Sequence, residues 1–326
     1  MQLLIGVLVF CLVLFVYIHV NYHMRISDDL EVFEVDQPSK DRLEAVCDLR
    51  QPVRFEFKTT TLDNICQRVN INDSYGAFDA KIRDIQLSPG LEEEIHVPIP
   101  FASAIRVMQD DTDCRYVLES SADFLEETGM DKEYRAADEF IRPHMVSSCA
   151  YDMIMGSNGA CTPFRYDLNY RNYYLVTEGE VTFKLAPPRS SKHLHEVRDF
   201  ENFEFRSPVD PWNVQPNYRN DFNKIKCLEI TLKRGQILHL PAYWWYSMRH
   251  GEHSTVCTFK YKTYMNTIAI LPKLFMCFMQ VQNVRRHTAS VLKPDTVESK
   301  STVESKSTVE SKSTVESSAT CAEHIE

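Results

Sequence analysis

The sequence has no excess of positive charge. Its 36 lysines and arginines are outnumbered by 46 aspartates and glutamates, giving a net charge of −10 and a pI near 5.6. That balance excludes a general nucleic-acid binder, whose phosphate-facing surface is basic. The chain also lacks any Cys-x-x-Cys pair or zinc-like spacing. Ten cysteines spread over 326 residues are too sparse for a disulfide framework. They read as buried or free thiols and favour a reducing compartment.

Formal charge is missing altogether between Leu3 and Val20, LLIGVLVFCLVLFVYIHV. Eighteen helical residues at ~1.5 Å each reach roughly 27 Å, close to the ~30 Å hydrocarbon core of a bilayer. Two marks of a cleaved signal peptide, a basic leader and a small-x-small cleavage site, are missing as well. The run ends instead in Tyr17, His19, Asn21, Tyr22 and His23. The expectation is an uncleaved single-pass anchor over residues 1–22, contacting the membrane through 3–20. Arg25, Lys40 and Arg42 follow it among the acids Asp28, Asp29, Glu31, Glu34 and Asp36. Acids count little in the positive-inside rule, so the main domain is expected on the cytosolic side. The sequon Asn72-Asp73-Ser74 matters only for the opposite orientation.

Residues 23–45 read as a polar, acidic linker. At the other end, residues 291–326 repeat Thr-Val-Glu-Ser-Lys-Ser. One valine per six residues cannot offset the entropy of ordering, so this segment is expected to be a disordered tail. Between them, 46–290 read as one domain. Its second half holds short strand-like runs. RNYYLVTEG and EVTFKLAPP suggest a hairpin about Gly179, CLEITLKRG and QILHLPAYWWYSMRH follow, and STVCTFKYK closes the set. Such a series points to a mainly β barrel or sandwich of jelly-roll type. Helices are expected over Leu62–Asn70, after the cap-like Ser121 and Asp123, and from Pro272. In the last of these, Leu271, Leu274, Phe275, Phe278 and Val281 recur at helical spacing, as in a helix packed on the domain.

Four ordered pieces carry a resemblance: DLRQPVRFEF (48–57), GACTPFRYDLNYRNYYLVTEGEVTFKLAPP (159–188), SPVDPWNVQPNYRNDF (207–222) and LKRGQILHLPAYWWYSMRH (232–250). Together they resemble the JmjC-type, cupin-like double-stranded β-helix of iron- and 2-oxoglutarate-dependent protein hydroxylases, over roughly 46–266. The chain is also similar to a degenerate, membrane-anchored subgroup found in large DNA viruses. The resemblance implies flanking helices and, in active members, Fe(II) and 2-oxoglutarate as cofactors.

Active members hold iron by His-x-Asp on one strand and a histidine on a later one. Residues i and i+2 of a strand share a face, so both first ligands enter the barrel. Here those positions are Arg165, Asp167 and Tyr246. Arginine offers no lone pair and cannot ligate iron. The family's lysine for 2-oxoglutarate falls at Val181. Lys184 lies an odd number of residues away and faces the other side. An asparagine and a tryptophan that line the family's site fall at Thr258 and Lys260, while Thr162 and Asn172 match its supporting pattern. His239 lies in the right segment but seven residues before Tyr246, and His193, His195, His250 and His253 fall in expected loops. Two readings of Arg165 stay open. In one it pairs with Asp167, with Tyr246 adding a hydroxyl, and plugs a metal-free site. In the other it points out of the mouth towards an anionic ligand.

These losses imply a membrane-anchored, catalytically inactive binding or scaffolding module with a protein partner, no nucleic acid and no cofactor. The barrel mouth and the SPVDPWN loop are the first places to look for that partner. The alternative is a divergent Fe(II)/2-oxoglutarate-dependent protein hydroxylase. A third option is a small-molecule or sugar-phosphate binder using Arg165 and Lys260.

Overall fold

The computed structural model describes residues 2–85, 96–200 and 202–291, with side chains described through Gln282. The expected tail at 291–326 lies almost wholly outside the described residues. In chain order the strands are β1 (Phe33–Val35), β2 (Val53–Glu56), β3 (Asp79–Asp84), β4 (His96–Pro100), β5 (Tyr116–Leu118), β6 (Val146–Gly156), β7 (Arg165–Tyr166), β8 (Arg171–Glu178), β9 (Glu180–Ala186), β10 (Val197–Asp199), β11 (Glu204–Arg206), β12 (Leu228–Lys233), β13 (Gln236–Pro241), β14 (Trp245–His250) and β15 (Thr255–Thr263). The helices are α1 (Gln2–His23), α2 (Lys40–Cys47), α3 (Thr60–Ile65), α4 (Arg68–Tyr75), α5 (Phe101–Asp110), α6 (Ala122–Thr128), α7 (Asp131–Ala137), α8 (Arg219–Phe222), α9 (Tyr264–Ala269) and α10 (Leu271–Val291).

The strands form two sheets. The larger runs β1-β2-β13-β8-β15-β6-β5-β3-β4, the smaller β10-β11-β7-β14-β9-β12. Consecutive strands β8 and β9 do not pair with each other, so the hairpin expected about Gly179 does not form; the chain crosses between sheets there. The same crossing joins β12 to β13 at Gly235 and β14 to β15. Gly179 has φ +67°, and a Cβ on it would lie 2.6 Å from the Glu252 carbonyl oxygen, so only glycine fits. Burial explains the crossing. Seven of the eight residues of β8 are buried, because one face meets the barrel interior and the other a second core. Such a strand belongs in mid-sheet.

Alternation sorts each strand's side chains between cores. Tyr174, Val176, Val181, Phe183, Leu185, Leu238, Leu240, Tyr246, Met248 and Val256 point between the sheets. Tyr173, Leu175, Ile237, Cys257, Phe259 and Tyr261 point the other way, against helices such as α5, α6 and α7. A third cluster, with Phe164, Tyr166, Phe205, Trp245, Ile270 and Leu274, covers the outside of the smaller sheet.

Residues 23–45 are not only a linker. β1 pairs in parallel with β2, and Ser39 caps α2 by accepting from the Arg42 amide. The helix expected over 62–70 is broken into α3 and α4. Gln67 is extended there, and the Arg68 amide donates to Glu178 while its guanidinium donates to the Gly156 and Ser254 carbonyls. Those contacts override local helix propensity. α1 is long and apolar enough to cross a membrane, and none of its residues is buried by the protein.

Candidate functional site

The three positions at which the resemblance expects iron ligands lie close together. Tyr246 on β14 stands directly opposite Arg165 on β7, and Asp167 follows one residue after β7 ends, its carbonyl accepting from the Tyr243 amide. Inward positions of β15 add Thr258 and Lys260. β8 adds Asn172 and Tyr174, which lie opposite Lys260 and Thr258 respectively.

The expected Arg165–Asp167 pair is not the one that forms. Asp167 is paired with Lys260, whose Nζ lies 3.1 Å from Oδ2 and 3.2 Å from Oδ1. Its Oδ2 also accepts from the hydroxyls of Tyr174 (2.9 Å) and Tyr246 (3.0 Å). Arg165 reaches away from this carboxylate. Its guanidinium donates to Glu119 (2.8 Å) and Glu204 (3.0 Å), and its Cζ lies 5.7 Å from the Tyr246 ring centroid. Nor does it point out of the mouth, since it is buried. Two carboxylates satisfy a buried guanidinium fork better than one. β7 ends at Tyr166, which lets Asp167 turn towards β8 and β15 instead.

Glu119 takes a second cation, Arg83, at 2.6 Å. Among the described residues, the interior therefore holds two linked charge groups. One is Arg83–Glu119–Arg165–Glu204. The other is Lys260–Asp167 with its two phenols. Burial works against each charge, and the partner charges outweigh it. Lys260 and then Arg165 hold the Asp167 carboxyl below its usual range. Arg165 and Arg83 hold Glu119 well below. Burial lowers the affinity of Lys260 for its proton, but Asp167 more than restores it, so the ammonium is kept. Burial and then Asp167 push both phenols up, so Tyr174 and Tyr246 stay protonated and donate. Asp167 and Lys260 keep 20% and 24% of their side-chain surface, leaving the pair a narrow contact with solvent.

The other singled-out positions are more ordinary. Val181 packs in the apolar core opposite His250. Thr162 clamps β14: its hydroxyl oxygen accepts from the Met248 amide, and its carbonyl accepts from the Ser247 hydroxyl. Asn172 donates to the Leu240 carbonyl and accepts from Asn169. The Thr258 hydroxyl donates to the Asp152 carbonyl at 3.4 Å. Lys184 lies outside the barrel, on Glu229 and the Pro211 carbonyl. It stacks with Arg249 on Trp212 of the SPVDPWN loop, whose indole donates to Ser247.

His239 sits on the outer face of the larger sheet against Tyr173. His250 is not in a loop; it ends β14, buried, bonded to Ser254, and burial followed by the charge of Arg68 pushes it down to about 3. Sequence reading missed Glu119, Glu204, Arg83 and Tyr174. Alternation along Tyr116-Val117-Leu118-Glu119 was the available signal, since Val117 and Glu119 share a face.

A three-ligand iron site needs lone pairs at three converging positions. These positions offer one carboxylate, already bound by an ammonium and two phenols, beside a guanidinium that has none to give. Among the described residues, no three His, Cys, Asp or Glu side chains converge as a metal-binding group. The residues present do not fit Fe(II), and with Val181 in place of a lysine they do not fit the far carboxylate of 2-oxoglutarate.

Comparison with known proteins agrees with this fold. HSPB1-associated protein 1 of mouse and of human is 24% identical over 153 residues, 45% of this chain and about a third of the relative (32% and 31%). JmjC domain-containing protein D of Dictyostelium discoideum is 27% identical over 100 residues, 31% of this chain and 22% of the relative. The chain thus spans about a third or less of the length of these relatives. The family model for the cupin-like domain matches residues 20–264, three quarters of the chain, and with two facing sheets between which β6 to β9 and β12 to β15 alternate, the chain belongs to the cupin-like domain family.

Proposed function

We propose that the chain is a membrane-anchored cupin-like module without oxygenase activity, which acts by binding or scaffolding a protein partner. The observation that carries this reading is the Lys260 ammonium seated on Asp167, where a metal cation would otherwise balance the carboxylate. An unpaired buried carboxylate is expensive, and Lys260 supplies the missing charge without any cofactor. The name of the mouse and human relatives, which records association with another protein, is in keeping with a binding role. In this reading α1 is the anchor, and Arg25, Lys40 and Arg42 after it support a domain on the cytosolic side.

Purified protein loaded with Fe(II), ascorbate and 2-oxoglutarate is expected to form no succinate and to bring down no stoichiometric iron. Iron-dependent succinate release, lost in Asp167→Asn, would establish the alternative, a divergent protein hydroxylase, which family membership keeps in play. The sugar-phosphate reading is weaker, because Arg165 and Lys260 already have carboxylate partners. Affinity capture from detergent-solubilised membranes that yields no specific protein would count against the binding role.

A further inference from the structure

The start of α10 is oriented against expectation. Between Leu271 and Gln282 the one charged residue is Lys273, and it turns towards the protein, its Nζ 4.8, 5.1 and 5.7 Å from the ring centroids of Tyr243, Phe205 and Tyr166. Leu274 joins it there, packed on the third core. Leu271, Phe275, Met276, Phe278 and Met279 face outward, Phe275 and Phe278 each 59% exposed. A helix that packed only on the domain would turn these side chains in and the lysine out.

This face is continuous with the anchor. α1 packs against α9. The His23 ring at its end lies 3.4 Å from the hydroxyl of Thr263, the cap of α9, and 5.2 Å from the Tyr170 ring. α9 carries exposed Tyr264 and Ile268, and α10 begins two residues after it ends. We infer that the outward face of α9 and of the first turns of α10 lies in the headgroup–acyl boundary of the bilayer that α1 crosses. The inference rests on reading α1 as an anchor. A lipid boundary accepts aromatic and methionine side chains and an uncharged face, and its affinity grows with apolar area. The chain's own repeat cannot be the cover, for its only apolar side chain is one valine in six residues. The domain would then be held at two points, which fixes which end of the barrel faces the membrane.

The test uses the full chain in phosphatidylcholine vesicles, with a fluorescent residue incorporated at position 12, 252 or 278 and quenching by lipids brominated either deep or near the headgroup. Leu12 reports on the anchor. Glu252 is exposed at the opposite end of β15 from Thr263, roughly 25 Å away at ~3.3 Å per residue. Position 278 is expected to be quenched by the shallow bromolipid to at least about half the level seen at position 12 with the deep one, and position 252 not at all. Quenching at 12 with none at 278 overturns this inference and leaves the anchor standing, with the face assigned to a second copy or another protein. Absence of quenching at 12 removes the anchor reading and this inference with it.

Discussion

Two regions of the molecule reverse the usual sorting of side chains, in opposite directions. Inside the barrel lie Arg83, Glu119, Arg165, Asp167 and Lys260. On the outside of α10 lie Phe275 and Phe278. Buried charge is stable only when paired, and exposed apolar area only when something covers it. The interior solves its problem within the chain, each charge meeting its opposite. The α10 face leaves its problem to the surroundings. Charge inside the barrel is therefore a question about folding, and apolar surface on α10 a question about where the protein resides.

The sharpest break of this contrast is Arg165→Met. It leaves Glu119 with one cation instead of two and Glu204 without its 3.0 Å partner. Removing one partner of a buried pair costs about 3–5 kcal/mol, measured as a shift in denaturation midpoint in detergent. Lys260→Met is expected to fall at the lower end of that range, because its pair keeps some solvent contact. The double variant Lys260→Met/Asp167→Leu is expected to recover most of the loss, since no charge is then left unpaired. A double variant as unstable as the single would mean that shape rather than charge balance holds this site.

Tyr246→Phe is the next step down. It removes one hydroxyl donor from Asp167 Oδ2 and leaves Tyr174 in place. A hydrogen bond to a charged acceptor contributes about 1.5–3 kcal/mol, and denaturation measurements on Tyr246→Phe and Tyr174→Phe should give similar losses. A negligible loss in both would show that Lys260 alone stabilises the carboxylate.

How much of this was legible in sequence follows the same division. The succession of short strands follows from spacing, and the resemblance singles out Arg165, Asp167 and Tyr246, which the fold brings close together, because period-2 alternation decides which side chains enter a barrel. The partner of Asp167 did not follow. Arg165 is two residues away and looked sufficient, whereas Lys260 is 93 residues away and meets it only through the pairing of β15 with β8. Glu119 escaped for the same reason. The crossing at Gly179 escaped because a Glu-Gly turn is compatible with either a hairpin or a sheet-to-sheet corner, and only the burial of both faces of β8 separates them. On α10 the apolar spacing gives the helix, but it does not say which side turns towards the domain and which away from it.

Buried histidines give a smaller, pH-dependent effect. The folded-state pKa of His250 is lowered to about 3 from 6.5, and that of His239 is also well below 6.5, from burial and then the charge of Arg171. Between those values the unfolded chain binds the proton and the folded chain does not, so stability falls as pH drops below about 6.5. One such group contributes at most ~1.4 kcal/mol per pH unit. Asp167 and Glu119, held low, add their losses only further down, as pH falls through their folded values. Denaturation of wild type and His250→Gln between pH 6.5 and 4.5 should therefore show a slope shallower in the variant by about that one-proton share. Parallel slopes would place His250 in contact with solvent.

The smallest expected effect sharpens the opening contrast. Phe183 faces the barrel core and is fully buried, so Phe183→Ala should cost ~3–5 kcal/mol from lost burial and the cavity it leaves. Phe278→Ser removes a side chain of the same kind from a site where 59% of the residue is open, and in detergent it is expected to change stability by no more than about 0.5 kcal/mol. The two phenylalanines differ in what covers them, and the pair of denaturation curves reads that difference directly. A loss at Phe278 approaching that at Phe183 would mean that protein, not lipid, covers this face, and that α10 packs on the domain more closely than its exposed side chains indicate.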